Sequence, residues 1–167
     1  NSMDAEEDNI LYSFFVYEDS SMETRLDSAL GIASGQDTTS WQVVASLPDN
    51  GQYYWYASSF DGYESSSSQA SSFLLNVVND IPAEFSLVNP YDSVDVTTQL
   101  PLLDWEVAFD PDPLDTVRYK LYLDTPEPGV LLVHTDTSTN FQIQEPLQDN
   151  TTYYWKVVAT DLSGATT

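Results

Sequence analysis

Trp41-Gln-Val-Val-Ala-Ser-Leu47-Pro-Asp49-Asn50-Gly-Gln-Tyr53-Tyr54-Trp55 decides the reading of this chain, because it occurs twice. It returns as Phe141-Gln-Ile-Gln-Glu-Pro-Leu147-Gln-Asp149-Asn150-Thr-Thr-Tyr153-Tyr154-Trp155, offset by 100 at every aligned position. Self-similarity at a fixed period marks a repeated structural unit. Downstream, Asp61 falls on Asp161 at the same offset. Upstream, Asp8-Asn-Ile10-Leu-Tyr12-Ser-Phe14 aligns with Asp115-Thr-Val117-Arg-Tyr119-Lys-Leu121 at an offset of 107. The first copy therefore holds a longer connection, within residues 18–40.

Each copy reads as β-strands. Val117, Tyr119, Leu121 and Leu123 alternate with Arg118, Lys120 and Tyr122, the period of a half-buried strand. Tyr153, Trp155, Val157 and Ala159 alternate with Tyr154, Lys156 and Val158 in the same way. Residues 72–78, 94–98 and 100–109 are further β-rich runs. Turn residues separate them, at Pro48-Asp-Asn-Gly51, Asn89-Pro90, Asp110-Pro-Asp112-Pro, Pro126-Glu-Pro-Gly129 and Ser163-Gly164. The serine-rich run 65–72 reads as one more turn, leading into a strand. Only residues 22–30, inside the longer connection, suggest a turn or two of helix. Many short strands with regular turns point to an all-β sandwich.

The repeated residues also carry a resemblance. Leu147, Tyr153, Trp155, Val157 and Ala159 look like the corner before strand F, and strand F itself, of a fibronectin type III-like domain. Tyr153 matches the tyrosine-corner position, where a phenol bonds back to the main chain. Trp105 resembles the core tryptophan of strand B. Asp110-Pro-Asp112-Pro-Leu-Asp115, followed by Val117-Arg-Tyr119, resembles the B–C loop of bacterial secreted members. The resemblance implies tandem immunoglobulin-like β-sandwiches, with one unit over residues 1–79 and a second over 80–167. It is nearly silent on activity, because such modules serve as spacers, adhesion units and enzyme accessories.

Strand assignment on this pattern does not close. The second copy supplies A (85–88 and 94–98), B (100–109), C (116–124), a C′ region (130–134), E (139–145) and F (152–160), and lacks strand G. The first supplies C (9–17), E (40–45), F (52–59) and G (72–78), and lacks strands A and B. Two full copies of a 100-residue repeat need about 200 residues, about 33 more than are present. Three accounts stay open: a segment of a longer array, sandwiches completed by strands from neighbouring chains, or a reduced first sandwich whose edge is otherwise covered.

Composition narrows the function. The chain has 167 residues, with 4 Lys and Arg against 27 Asp and Glu, for a formal charge of −23. Neutralising phosphates takes clustered basic residues, so nucleic-acid binding is excluded. An anionic membrane surface is an equally poor partner, and no apolar run nears the roughly 20 residues that span a bilayer. There is no cysteine and a single histidine, His134, which removes disulfides, thiolate chemistry and histidine-based metal sites. Aromatic residues make up 13% of the chain, ample for a folded core despite the charge. Acidic composition on this scale suits an extracellular surface bathed in salt or divalent cations.

Two sets of residues stand out as candidate sites. Asp110, Asp112 and Asp115 fall within one loop, and Asp80, in the linker, joins them if the linker approaches that end of the second copy; Asp4, Glu6, Glu7 and Asp8 occupy the matching loop of the first copy. Calcium takes six to eight hard oxygen ligands, which clustered carboxylates at loop tips supply. Asp and Pro also suit plain turns for backbone reasons alone. The second set is a sheet face. In the second copy its outward positions are Arg118, Lys120, Tyr122, Tyr154, Lys156 and Val158; in the first they are Leu11, Ser13, Phe15, Tyr17, Tyr54, Tyr56 and Ser58. An aromatic stripe of this kind is covered by the 18–40 connection, meets another protein, or offers a platform to a sugar ring.

No catalytic constellation or organic cofactor is expected, and the chain is not read as an enzyme. The expected function is a structural or adhesive repeat module of a cell-surface or extracellular assembly, such as a fibre, surface layer, adhesin or stalk. Its expected partners are copies or neighbouring repeats of itself, with calcium stiffening its loops. The alternative is a carbohydrate-binding or accessory module of a secreted polysaccharide-acting enzyme.

Overall fold

Aromatic and β-branched side chains favour a pleated, half-buried surface, and the segments rich in them become the strands of this molecule. The computed structural model describes residues 9–125 and 131–167. The acidic stretch around Asp4, Glu6, Glu7 and Asp8, and the turn at Pro126 to Gly129, lie outside the described residues. The chain divides into two units, Asn1–Val78 and Asn79–Thr167. All the named elements are β-strands, and every pairing between them is antiparallel.

The first unit holds β1 (Leu11–Tyr17), β2 (Arg25–Ala33), β3 (Gly51–Phe60), β4 (Ser65–Ser67) and β5 (Ser71–Leu75). They form one sheet in the order β2-β1-β3-β4, with β5 also paired to β3. Strand β2 overturns the helical reading of residues 22–30. Asp19 folds the chain back by accepting the amides of Glu23 at 3.2 Å and Thr24 at 2.8 Å. Met22 takes a left-handed backbone with φ 58°, which no helix continues through. The returning segment then pairs along the whole of β1. An irregularity opposite Ser13 is absorbed at Gly31, where φ is 67°.

Residues 40–45 are not the strand expected of them. The amides of Val44 and Ala45 donate to the Asp27 carboxylate at 2.7 and 2.9 Å, so a side chain takes the place of a neighbouring strand. Trp41 stacks on Phe14, with centroids 6.2 Å apart. The serine run is more than a turn as well. Ser65–Ser67 pairs with the end of β3, and the chain then bulges before β5. At the bulge, the Ala57 amide donates to the Ser68 hydroxyl at 3.1 Å.

The second unit holds β6 (Leu87–Asn89), β7 (Leu102–Trp105), β8 (Arg118–Asp124), β9 (Leu132–Asp136), β10 (Asn140–Gln142) and β11 (Tyr154–Thr160). Two three-stranded sheets result, β10-β7-β6 and β11-β8-β9. Burial alternates along β8, where Tyr119, Leu121 and Leu123 are buried and Arg118, Lys120 and Tyr122 are not. Leu103 and Trp105 from the first sheet meet Tyr119, Leu121, Leu123 and Ala159 from the second in one core, with Ala108 and Ile143. This is the sandwich arrangement of two sheets sharing one apolar interior. Tyr119 anchors it: its ring lies edge-on to Phe85 and Trp105, and its phenol accepts the Ala108 amide at 2.8 Å.

Two expectations change in this unit. Residues 94–98 form no strand. Beyond β11, where no strand is expected, the chain turns back antiparallel. Thr166 bridges Thr160, and the amides of Ala159 and Thr167 each donate to the other's carbonyl, at 2.9 and 3.1 Å.

The repeated sequence builds the same corner in both units. The Tyr53 phenol donates to the Pro48 carbonyl at 2.7 Å. The Tyr153 phenol accepts the Gln148 amide at 3.1 Å. Asn50 and Asn150 both take left-handed backbones, with φ 57° and 53°. Asparagine tolerates that conformation better than most residues. Beyond the direction of that bond, the corners differ at the residue after the asparagine. A Cβ on Gly51 would lie 2.6 Å from Cζ of Tyr53, so that ring lies directly against the backbone. Threonine stands at the aligned position 151.

Candidate functional site

The aromatic face of the first unit follows from register. Phe15 pairs with Tyr56, and Tyr17 with Tyr54, so these four side chains share one side of the sheet. Phe15 stacks on Tyr56 with centroids 4.9 Å apart, and Tyr17 stacks on Tyr56 at 6.0 Å. The Arg25 guanidinium lies 6.0 Å from the Phe15 centroid. Tyr17 is buried, with 8% of its surface exposed, while Phe15, Tyr54 and Tyr56 are half-buried and Leu11 is 38% exposed. A hydrogen bond with the neighbouring Tyr56 phenol, together with burial, pushes the Tyr17 phenol above its ordinary value. The 18–40 connection reaches this face through Arg25. Its main element, β2, extends the sheet at the edge of β1.

The other face of the same sheet is aromatic too. Tyr12, Val16 and Tyr53 are buried there. Tyr53 packs on Phe73 at 5.6 Å. Trp55 sits among these residues, paired with Val16, and is 37% exposed. Among the described residues of this unit there is no second sheet to cover either face.

The second candidate lies where the loop before β8 meets the turn after β11. Carboxylate oxygens of Asp110, Asp115 and Asp161 all lie within 4.8 Å of one another. Asp110 and Asp161 are buried, at 9% and 5% exposure. Asp110 Oδ1 accepts the Asp112 amide at 3.0 Å, and its Oδ2 is buried with no hydrogen-bond partner. Burial pushes the Asp110 carboxyl up, and the charges of Asp115, Asp112 and Asp161 add to that shift. Asp161 is held below the ordinary carboxylate range, first by the Asn79 side chain, which donates to Oδ2 at 2.7 Å. Its Oδ1 accepts Ser163 Oγ and the amides of Gly164 and Ala165, which shapes the turn.

Of the four residues picked out for a metal, Asp110 and Asp115 converge. Asp112 and Asp80 meet each other instead, the Asp80 amide donating to Asp112 Oδ2 at 2.9 Å. Asp112 is 2% exposed, and its Oδ1 is buried without a partner. Asp161 was missed as a ligand candidate. Its signal lay in the topology, because the loop entering one strand and the turn leaving its antiparallel neighbour share one end of a sheet. Asp161 follows β11 directly, beside β8.

A shallow open cavity of about 260 Å³ lies elsewhere in the second unit, lined by Glu84, Phe85, Leu87, Lys156, Val157 and Thr167. No helix among the described residues is long and apolar enough to cross a membrane.

No family model matches the sequence, and no curated protein matches it. Among solved structures, the chain is similar to the crystal structure of chicken CNTN1 FN1-FN3 domains. The identity is 13% and the TM-score 0.32, over 91% of this chain and 48% of that one, so the chain spans about half the length of that structure.

Proposed function

We propose that the chain is a structural or adhesive module of an extracellular or cell-surface assembly, built from fibronectin type III-like units and acting through spacing and protein–protein contacts. One observation carries this reading: among its described residues the first unit is a single sheet with aromatic side chains on both faces, and while Tyr12, Val16, Tyr17 and Tyr53 are buried, others on both faces are not. An isolated sheet must bury its apolar face against another layer. Trp55 and Leu11 still reach solvent. A neighbouring repeat or a second chain is the layer that fits, and strand addition between chains is one way to supply it.

The geometry favours protein contact over a sugar platform. Phe15, Tyr56 and Tyr17 stand as a stacked row, with interplanar angles of 22° and 10°. A row of stacked rings presents edges outward, whereas a sugar ring packs on an open aromatic face. Electron microscopy of the purified chain tests the reading. Ordered polymers or discrete oligomers support it. Dispersed single particles, together with glycan binding that disappears in Tyr54→Ala and Tyr56→Ala, would replace it with the carbohydrate-binding alternative.

A further inference from the structure

We propose that Asp110, Asp115 and Asp161 form a divalent-cation site in the second unit, sized for calcium. Two oxygens on opposite sides of a calcium ion, each at about 2.3–2.6 Å, are separated by about 4.6–5.2 Å. The three carboxylate oxygens here fit inside that span, within 4.8 Å of one another.

Proximity of acidic groups is not the whole case. Asp110 is 9% exposed, and its Oδ2 has no hydrogen-bond donor. Oδ1 accepts the Asp112 amide, so Oδ2 is the oxygen of this buried carboxylate left without a partner, in a residue whose carboxylate lies against those of Asp115 and Asp161. A buried carboxylate oxygen without a donor is costly unless a positive charge meets it. The protein supplies none: among the described residues no Lys or Arg forms an ion pair with Asp110, Asp115 or Asp161. Asp161 keeps acceptor capacity on Oδ2, where Asn79 is its one donor. The orphaned Oδ1 of Asp112 is a second buried oxygen in the same loop. All these donors are hard oxygens, the ligand class of calcium and magnesium. Water completes the coordination on the solvent side of half-buried Asp115.

The site has a structural consequence inside the unit. A cation there ties the 110–115 loop to the 161–165 turn. Residues 79–80 are already joined to both, through Asn79 to Asp161 and Asp80 to Asp112. This inference does not depend on the spacer reading, since a spacer without a cation and a cation-binding domain of another function are both self-consistent.

The test is calorimetric titration of the chelator-treated full chain with CaCl₂, and separately MgCl₂, near neutral pH and about 0.15 M salt, which screens diffuse attraction to the acidic surface. One saturating calcium site is expected, with Kd on the order of 10⁻⁴–10⁻³ M, the range of extracellular modules. Asp115→Asn should weaken it at least tenfold, while Asp95→Asn, an exposed carboxylate elsewhere, leaves it unchanged. Asp161 also organises its turn, so Asp161→Asn is read only if its circular dichroism matches the parent, and Asp110→Asn serves as the second variant. A melting temperature that rises with calcium in the parent and not in Asp115→Asn would agree. Unsaturable binding, no binding up to about 10 mM (ten times the weak end of that range), or equal affinity in Asp115→Asn and Asp110→Asn would overturn the proposal.

Discussion

Tyr53→Phe isolates one hydrogen bond in the corner that the repeated sequence specifies. The ring is 2% exposed and packs on Phe73, and phenylalanine keeps that contact. Only the 2.7 Å bond to the Pro48 carbonyl is lost. Pro48 is exposed, so water reaches the freed carbonyl and no full desolvation penalty applies. The cost should be the net worth of one hydrogen bond, about 0.5–1.5 kcal/mol. In a unit of this size that lowers the melting temperature by about 4–8 °C per kcal/mol. Gly51→Ala should cost more, about 1–3 kcal/mol, because its Cβ would fall 2.6 Å from Tyr53 Cζ and push the ring off the backbone. Tyr153→Phe should cost no more than Tyr53→Phe, since Tyr153 is more exposed and its bond is longer, at 3.1 Å. Urea-dependent hydrogen exchange, read by mass spectrometry on peptides from Gly51–Phe60 and from Tyr154–Thr160, separates the two units. Unchanged exchange in β3 for both Tyr53→Phe and Gly51→Ala would refute the corner as a source of stability.

Three further outcomes follow from the packing and the charges. Leu121→Ala removes a fully buried side chain from the second unit and should destabilise it by about 2–5 kcal/mol, measured as urea midpoints of β8 and β11 peptides. Asp49 accepts the amides of Val77 and Val78 at 2.7 and 3.0 Å, so Asp49→Ala should speed exchange at those two amides and leave β1 unchanged. Backbone amides, chiefly Ala45 for Asp27 and Val77 for Asp49, hold both carboxyls below their ordinary 3.8. Depressed folded values stabilise above the ordinary value, so the first unit should lose stability as pH falls from about 4 downward, read by thermal melts across pH. Asp110 acts in the opposite sense: its raised value favours the fold at low pH, and that contribution is lost as pH rises through it.

The strands legible in sequence were those with a strong local signal. Alternation along Arg118–Asp124 marks β8, and the paired Tyr-Tyr-Trp segments after the corner asparagines mark β3 and β11. The misreadings came from contacts between distant residues. Residues 22–30 look weakly helical, and they become β2 because Asp19 turns the chain and β1 offers a free edge. Residues 40–45 have strand composition, yet the Asp27 carboxylate takes their amides. In the acidic loop, spacing favours Asp112, and Asp80 enters from the linker, whereas in the fold the Asp80 amide donates to Asp112 and Asp161 comes to Asp110 and Asp115. Sequence spacing orders a loop's own residues and says little about which distant turn shares its end of the sheet.

Sedimentation velocity over a wide concentration range tests the central claim most directly. If the aromatic face of the first unit is a protein contact, the parent chain should sediment as a concentration-dependent oligomer. The Tyr54→Ala, Tyr56→Ala double variant, folded by circular dichroism, should then shift toward monomer. A parent chain that remains monomeric at every concentration would contradict self-association, as would a double variant that assembles like the parent.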